Sequence, residues 1–215
     1  ALGGVALIVW GMLGQFRSDA PGLALAREQA VELARKTWED AGVKLDPAQG
    51  WVAMAYVDGP GGNEDDFVWK TSGPATYEKL MGNYLAPPLW VVRFARFTGD
   101  IGERAEEYHV FLRGAGEVYR IKHALPEARK GAQLSGERVS AVAEGAIQRV
   151  YGLGAGKLKT VSSDQTQHPD RKDWLMIYSE ALPKDLLKEG EARLAVRVAG
   201  DEVAGYRRWI DIPEE

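Results

Sequence analysis

Three histidines, His109, His123 and His168, are the side chains of this 215-residue chain whose ordinary pKa lies near neutrality, so acid-base or metal chemistry would have to start from them. A histidine zinc site commonly places a pair about three to five residues apart, and no two of these are that close. They read as structural or solvent-facing groups. Cysteine is absent, which excludes disulfide staples, thiol catalysis and Cys-type zinc sites. Neither His-Glu-x-x-His nor Gly-x-Ser-x-Gly occurs.

Two other stretches invite a chemical reading. Gly152-Leu153-Gly154-Ala155-Gly156-Lys157 has the glycines and lysine of a phosphate loop. Its glycines are too close together, Leu158 stands where Ser or Thr is required, and it joins a helix to a strand in the wrong order. It reads as a helix cap and linker. Asn63-Glu64-Asp65-Asp66 offers hard oxygen ligands for calcium without the alternating EF-hand spacing, and reads as a solvated loop. The residues therefore assign no catalytic, cofactor-binding or metal-binding side chain.

The aromatics are the stronger signal. Of seven tryptophans, Trp51, Trp69, Trp90, Trp174 and Trp209 fall in expected strands, while Tyr77 and Tyr84 fall on an expected short helix. Core packing between helix and sheet accounts for such residues. The sharper reading is a peptide- or lipid-facing groove, with Trp10, Tyr77, Tyr84 and Trp209 as the candidate contact aromatics.

The elements that must position these residues follow from composition and pattern. Hydrophobic residues make up 45% and charged residues 27%, close to a soluble globular average, which excludes a disordered chain, a collagen-like repeat and a many-spanning transporter. The formal net charge of −4 without a basic block argues against a nucleic-acid partner. Residues 1–16 carry no charge at all. Together with a start at Ala1 rather than Met, this run predicts the end of a membrane helix over residues 1–17, contacting lipid through 1–16, with Trp10 or Phe16 near the interface. The apolar region of an uncleaved signal peptide and a buried core helix are the competing readings.

Beyond that run the sequence echoes itself. Leu25-Ala26-Arg27-Glu28-Gln29-Ala30 is answered by Leu134-Ser135-Gly136-Glu137-Arg138-Val139, and each opens an apolar stripe of helical spacing. Gly42 and Gly152 stop the two helices. Strands are expected after each in the same order, including Trp90 to Phe94 and Trp174 to Tyr178. The last two strands of each half flank the turns Gly114-Ala115-Gly116 and Ala199-Gly200-Asp201. The expected fold is α+β, a tandem repeat of a helix followed by an antiparallel β-meander, over residues 22–130 and 133–215 and preceded by the membrane-helix segment. The first repeat carries an insertion, 59–88, expected as a loop through Asp66, a short strand over Phe67 to Lys70 and a helix from Pro74 to Leu85. His168 is expected in a polar loop from Asp164 to Asp173.

These features carry a resemblance. The apolar start, the Arg-Glu-Gln-Ala helix opening, Tyr77-Glu78-Lys79-Leu80-Met81 leading to Pro88-Leu89-Trp90-Val91-Val92-Arg93-Phe94, and the ending Gly205-Tyr206-Arg207-Arg208-Trp209-Ile210-Asp211-Ile212-Pro213-Glu214-Glu215 resemble the N-terminal extramembrane region of bacterial CPBP (CAAX-protease-like) intramembrane metalloproteases. Each repeat also resembles a PepSY domain, a cystatin-like helix-plus-sheet module. The resemblance implies a non-catalytic regulatory or substrate-presenting domain at the bacterial cell membrane, its globular part extracytoplasmic, with a protein partner or peptide substrate. The protease motifs are missing: Glu106-Glu107 is followed by Phe111 where Arg is required, and no histidine has Asn or Asp four residues on. An accessory subunit of a membrane complex, and an enzyme with an unrecognised site, are the alternatives.

Overall fold

Ala30, Ala34 and Trp38 recur every fourth residue and are buried on one stripe of the first long helix, α1 (Arg27–Asp40). Its N-terminus is closed by the Gln29 side chain, whose oxygen accepts the Ala26 N–H at 2.9 Å. The computed structural model describes residues 3–4, 22–59, 61–97 and 99–213. In chain order the elements after α1 are β1 (Trp51–Asp58), α2 (Asn63–Ser72), α3 (Pro74–Leu80), β2 (Leu89–Arg96), α4 (Ile101–Arg104), β3 (Glu107–Leu112) and β4 (Val118–Ala124). There follow α5 (Gly136–Tyr151), β5 (Leu158–His168), β6 (Arg171–Glu180), β7 (Glu191–Ala199) and β8 (Glu202–Asp211). Val139, Ala143, Ala146 and Ile147 form the buried stripe of α5, and Gly152, with φ of 69°, ends it in the left-handed region that suits glycine.

All eight strands belong to one antiparallel sheet in the order β1-β2-β3-β4-β8-β7-β6-β5. Its middle is the pairing of β4 with β8, where Lys122 and Gly205 are the pair in ladder register. Glycine at 205 has a steric reason: a Cβ there would stand 3.1 Å from the Ile121 carbonyl oxygen, so a side chain would hold the two strands apart. Beside this pair the β7–β8 register slips, from Arg197 opposite Gly205 to Val198 opposite Val203, leaving Ala204 as the extra residue of a bulge.

Alternation along the strands sends side chains to two unlike faces. α1 packs on Val92, Phe94, Tyr108, Val110 and Leu112, and α5 on Met176, Tyr178, Leu194, Val196 and Val198. The strand registers put both sets on the same face, so the two long helices lie side by side on one side of the sheet. Neither packs on the other side. The segment linking the halves is held by Arg171, 1% exposed, which donates to the carbonyls of Pro126 (3.0 Å) and Arg129 (2.6 Å) and pairs with Asp173.

The observed architecture corrects the expected one. A tandem repeat of helix-then-meander modules behind a membrane helix does not describe it: all eight strands join in one antiparallel sheet. Left separate, β4 and β8 would each present an unpaired backbone edge; pairing them removes both edges. No helix among the described residues is long and apolar enough to cross a membrane. Placement at the bacterial cell membrane, with an extracytoplasmic globular part, is corrected accordingly, since the described residues give no sign of a membrane anchor. Of the apolar run 1–16 only Gly3 and Gly4 are described, as exposed helical residues, and the membrane-segment expectation otherwise lies outside the described residues.

Two local expectations also change. Phe67 to Lys70 is helical, not a strand, because Asn63–Ser72 forms a helix whose first turn carries Glu64, Asp65 and Asp66, where carboxylates favour the helix dipole. Asp65 Oδ2 accepts the N–H groups of Gly61 and Gly62, both at 3.0 Å, so the acidic run caps a helix instead of forming a solvated loop. The polar stretch from Asp164 is strand as far as His168, which pairs with Arg171 across the β5–β6 turn.

Candidate functional site

The β4–β8 junction gathers charge on both faces of the sheet. On the helix-covered face, His123 of β4 is 2% exposed and stacks on the Tyr108 ring at a centroid distance of 4.0 Å. Its Nδ1 lies 2.5 Å from Glu202 of β8, and its Nε2 lies 3.1 Å from Glu106, just before β3. A neutral imidazole has one N–H, so facing a carboxylate at both nitrogens calls for the imidazolium. Burial pushes the His123 pKa down, but the hydrogen bonds to Glu106 and Glu202 outweigh it and hold the value above the ordinary 6.5. Burial likewise opposes ionisation of Glu106, and hydrogen bonds from His123 and Tyr108 with the charge of Arg129 bring its pKa below the ordinary range. The Tyr108 hydroxyl (3.0 Å) and Arg129 Nη1 (2.7 Å) donate to the same Glu106 oxygen, and Arg96 stands 3.6 Å from the other. This network is saturated. Both nitrogens of His123 are engaged, and the contacts tie β3, β4 and β8 together.

On the opposite face, the same strands line an open groove of about 420 Å³. Its floor is Leu175 and Ile177 of β6, Ala195 of β7 and Gly205; its basic residues are Arg120 and Lys122 of β4, Arg197 of β7 and Arg207 of β8. No carboxylate lines it. None of the four cations has an ion pair among the described residues. Arg120 lies over the Phe111 ring (3.8 Å to the centroid) and Arg207 over Trp209 (4.4 Å), so each guanidinium makes a cation–π contact. Burial lowers the pKa of Arg120, and the charge of Arg207 adds to that against the opposing influence of Tyr119 and Asp58. The adjoining wedge, about 200 Å³, shares Arg120 and Arg207 with the groove and is also lined by Glu64 and Asp65 of α2 and by Tyr84, Leu85 and Ala86 of the insertion.

The sequence candidates scatter. Trp209 reaches the groove as part of its lining. Tyr77 is half-buried on α3, edge-on to Trp69 at 5.3 Å. Tyr84 is 3% exposed, its hydroxyl donating to Glu180, so it packs the insertion against the sheet. Burial, followed by the Glu180 hydrogen bond, raises its pKa far above the ordinary tyrosine value. Trp10 lies outside the described residues. The three histidines do not converge: His109 pairs with Glu107 (3.0 Å), His168 with Asp173 (3.1 Å) and His123 with Glu106 and Glu202. Sequence reasoning missed Arg120, Lys122, Arg197 and Arg207. The available signal was the alternation Arg120-x-Lys122, which puts two cations on one strand face. Comparison with protein-family models, with curated proteins and with solved structures finds no match.

Proposed function

We propose that the chain is a non-catalytic protein-binding module that engages its partner through the sheet face opposite the two long helices. The carrying observation is the groove at the centre of that face, where four basic side chains surround an aliphatic floor and no carboxylate is part of the lining. Cations left without partners retain their hydrogen-bonding capacity for another molecule. The exposed Val52 and Tyr56, 47% and 53% exposed, extend the same face toward β1. The engagement of both His123 nitrogens supports a binding role over a catalytic one. A regulatory or substrate-presenting module is also what the resemblance to protease N-terminal regions implies.

Site-directed photo-crosslinking tests this reading. A photoreactive residue at Lys122 should give discrete protein adducts that unmodified protein competes away, whereas one at the exposed Lys36 of α1 should not. Equal adducts from both positions, or none from Lys122, would overturn it.

A further inference from the structure

The groove's chemistry identifies its occupant more narrowly, resting on the protein-binding reading above. We propose that it holds an extended acidic peptide segment of about five residues, with acidic side chains at one end and a branched aliphatic side chain at the other. The cations stand on β4, β8 and β7, and the aliphatic floor on β7 and β6. Crossing from β4 to β6 spans three inter-strand gaps, about 14 Å, which an extended chain covers in about four to five residues. Two rows about 7 Å apart run across the strands on this face, Lys122, Gly205, Arg197 and Leu175 in one and Arg207, Ala195 and Ile177 in the other, so both pass from cations to aliphatic side chains. A peptide crossing between these rows would therefore meet cations with the carboxylates at its β4 end, and its inward side chain at the β6 end would reach Leu175 and Ile177.

Phosphates along a nucleic-acid strand could match the charge spacing, but the rest of the groove does not suit them. Single-stranded nucleic acid needs aromatic faces on which bases stack. Here the Trp209 ring is occupied by Arg207 and the Phe111 ring by Arg120. The floor is aliphatic, and the chain as a whole is acidic, with a net charge of −4.

Fluorescence anisotropy with the full chain tests the proposal, using a labelled peptide containing Glu-Ser-Glu-Ser-Leu. Saturable binding is expected, weakened about tenfold by the double substitution R120Q/R207Q and measurably by the single exposed substitution R197Q. The second variant guards against misfolding of the first, since Arg120 packs on Phe111. Replacing the peptide's leucine with serine should also weaken binding, and K36Q on the opposite face should leave it unchanged. Equal binding of the Lys-Ser-Lys-Ser-Leu peptide, insensitivity to R197Q and R120Q/R207Q, or tighter binding of oligothymidylate would each overturn the proposal. Lack of peptide binding alongside competed crosslinks from Lys122 would overturn the acidic-peptide assignment while leaving the protein-binding reading in place.

Discussion

On the helix-covered side of the β4–β8 junction, Glu106 is shared among His123, Tyr108, Arg129 and Arg96; on the open side, a few ångströms of backbone away, Arg120, Lys122, Arg197 and Arg207 line a groove to which no carboxylate contributes. The difference follows solvent. A charge under the helices cannot be hydrated and persists only if paired, whereas the exposed Lys122, Arg197 and Arg207 are hydrated and remain unpaired at little cost, with the half-buried Arg120 resting on the Phe111 ring. One side of the seam uses charge to hold the sheet together, and the other keeps it available.

Substitutions should separate these two uses. Glu106→Ala leaves buried donors without an acceptor and should destabilise the fold by about 3 to 5 kcal/mol, read as a lower urea midpoint at unchanged slope. Gly205→Val strikes both sides, because its side chain would meet the Ile121 carbonyl; a loss of about 1 to 3 kcal/mol together with loss of acidic-peptide binding is expected. The contribution of pH is smaller and has a definite sign. His123, raised in the folded state, contributes stability below 6.5 that is lost as pH climbs through its folded value; Glu106, lowered, contributes stability above 4.5 that is lost as pH falls through its folded value. The melting temperature should therefore decline toward alkaline pH, and His123→Gln should flatten that decline. Smallest of all, Arg207→Gln should change stability by no more than about 0.5 kcal/mol while weakening peptide binding, which calorimetry and anisotropy on the same sample would show.

The parts legible in the sequence were those governed by local period. Ala30, Ala34 and Trp38 mark a helix face because their spacing has no other explanation, and Trp90 to Phe94 reads as a buried strand from its run of aromatic and β-branched residues. The aromatics of Phe67 to Lys70 point to a strand, but the helix that begins at Asn63, four residues earlier, with its acidic first turn, prevails. The single sheet was hidden for another reason: its centre depends on one backbone pairing between Lys122 and a glycine, and neither residue advertises a partner about eighty positions away. The groove shared that obscurity. Each arginine looks like an ordinary solvated strand residue until β4 and β8 are placed together, and only then do the four cations converge.

The slender register between β4 and β8 also bears on how the molecule would respond to load. Elsewhere neighbouring strands share long ladders, up to ten paired positions between β5 and β6, while the centre is joined by Lys122 and Gly205 and braced by the His123 network and the Arg171 clasp. Pulled apart across its width, the sheet has a built-in tear line. Rupture would begin at the middle and release two four-stranded pieces, each with its own helix still attached.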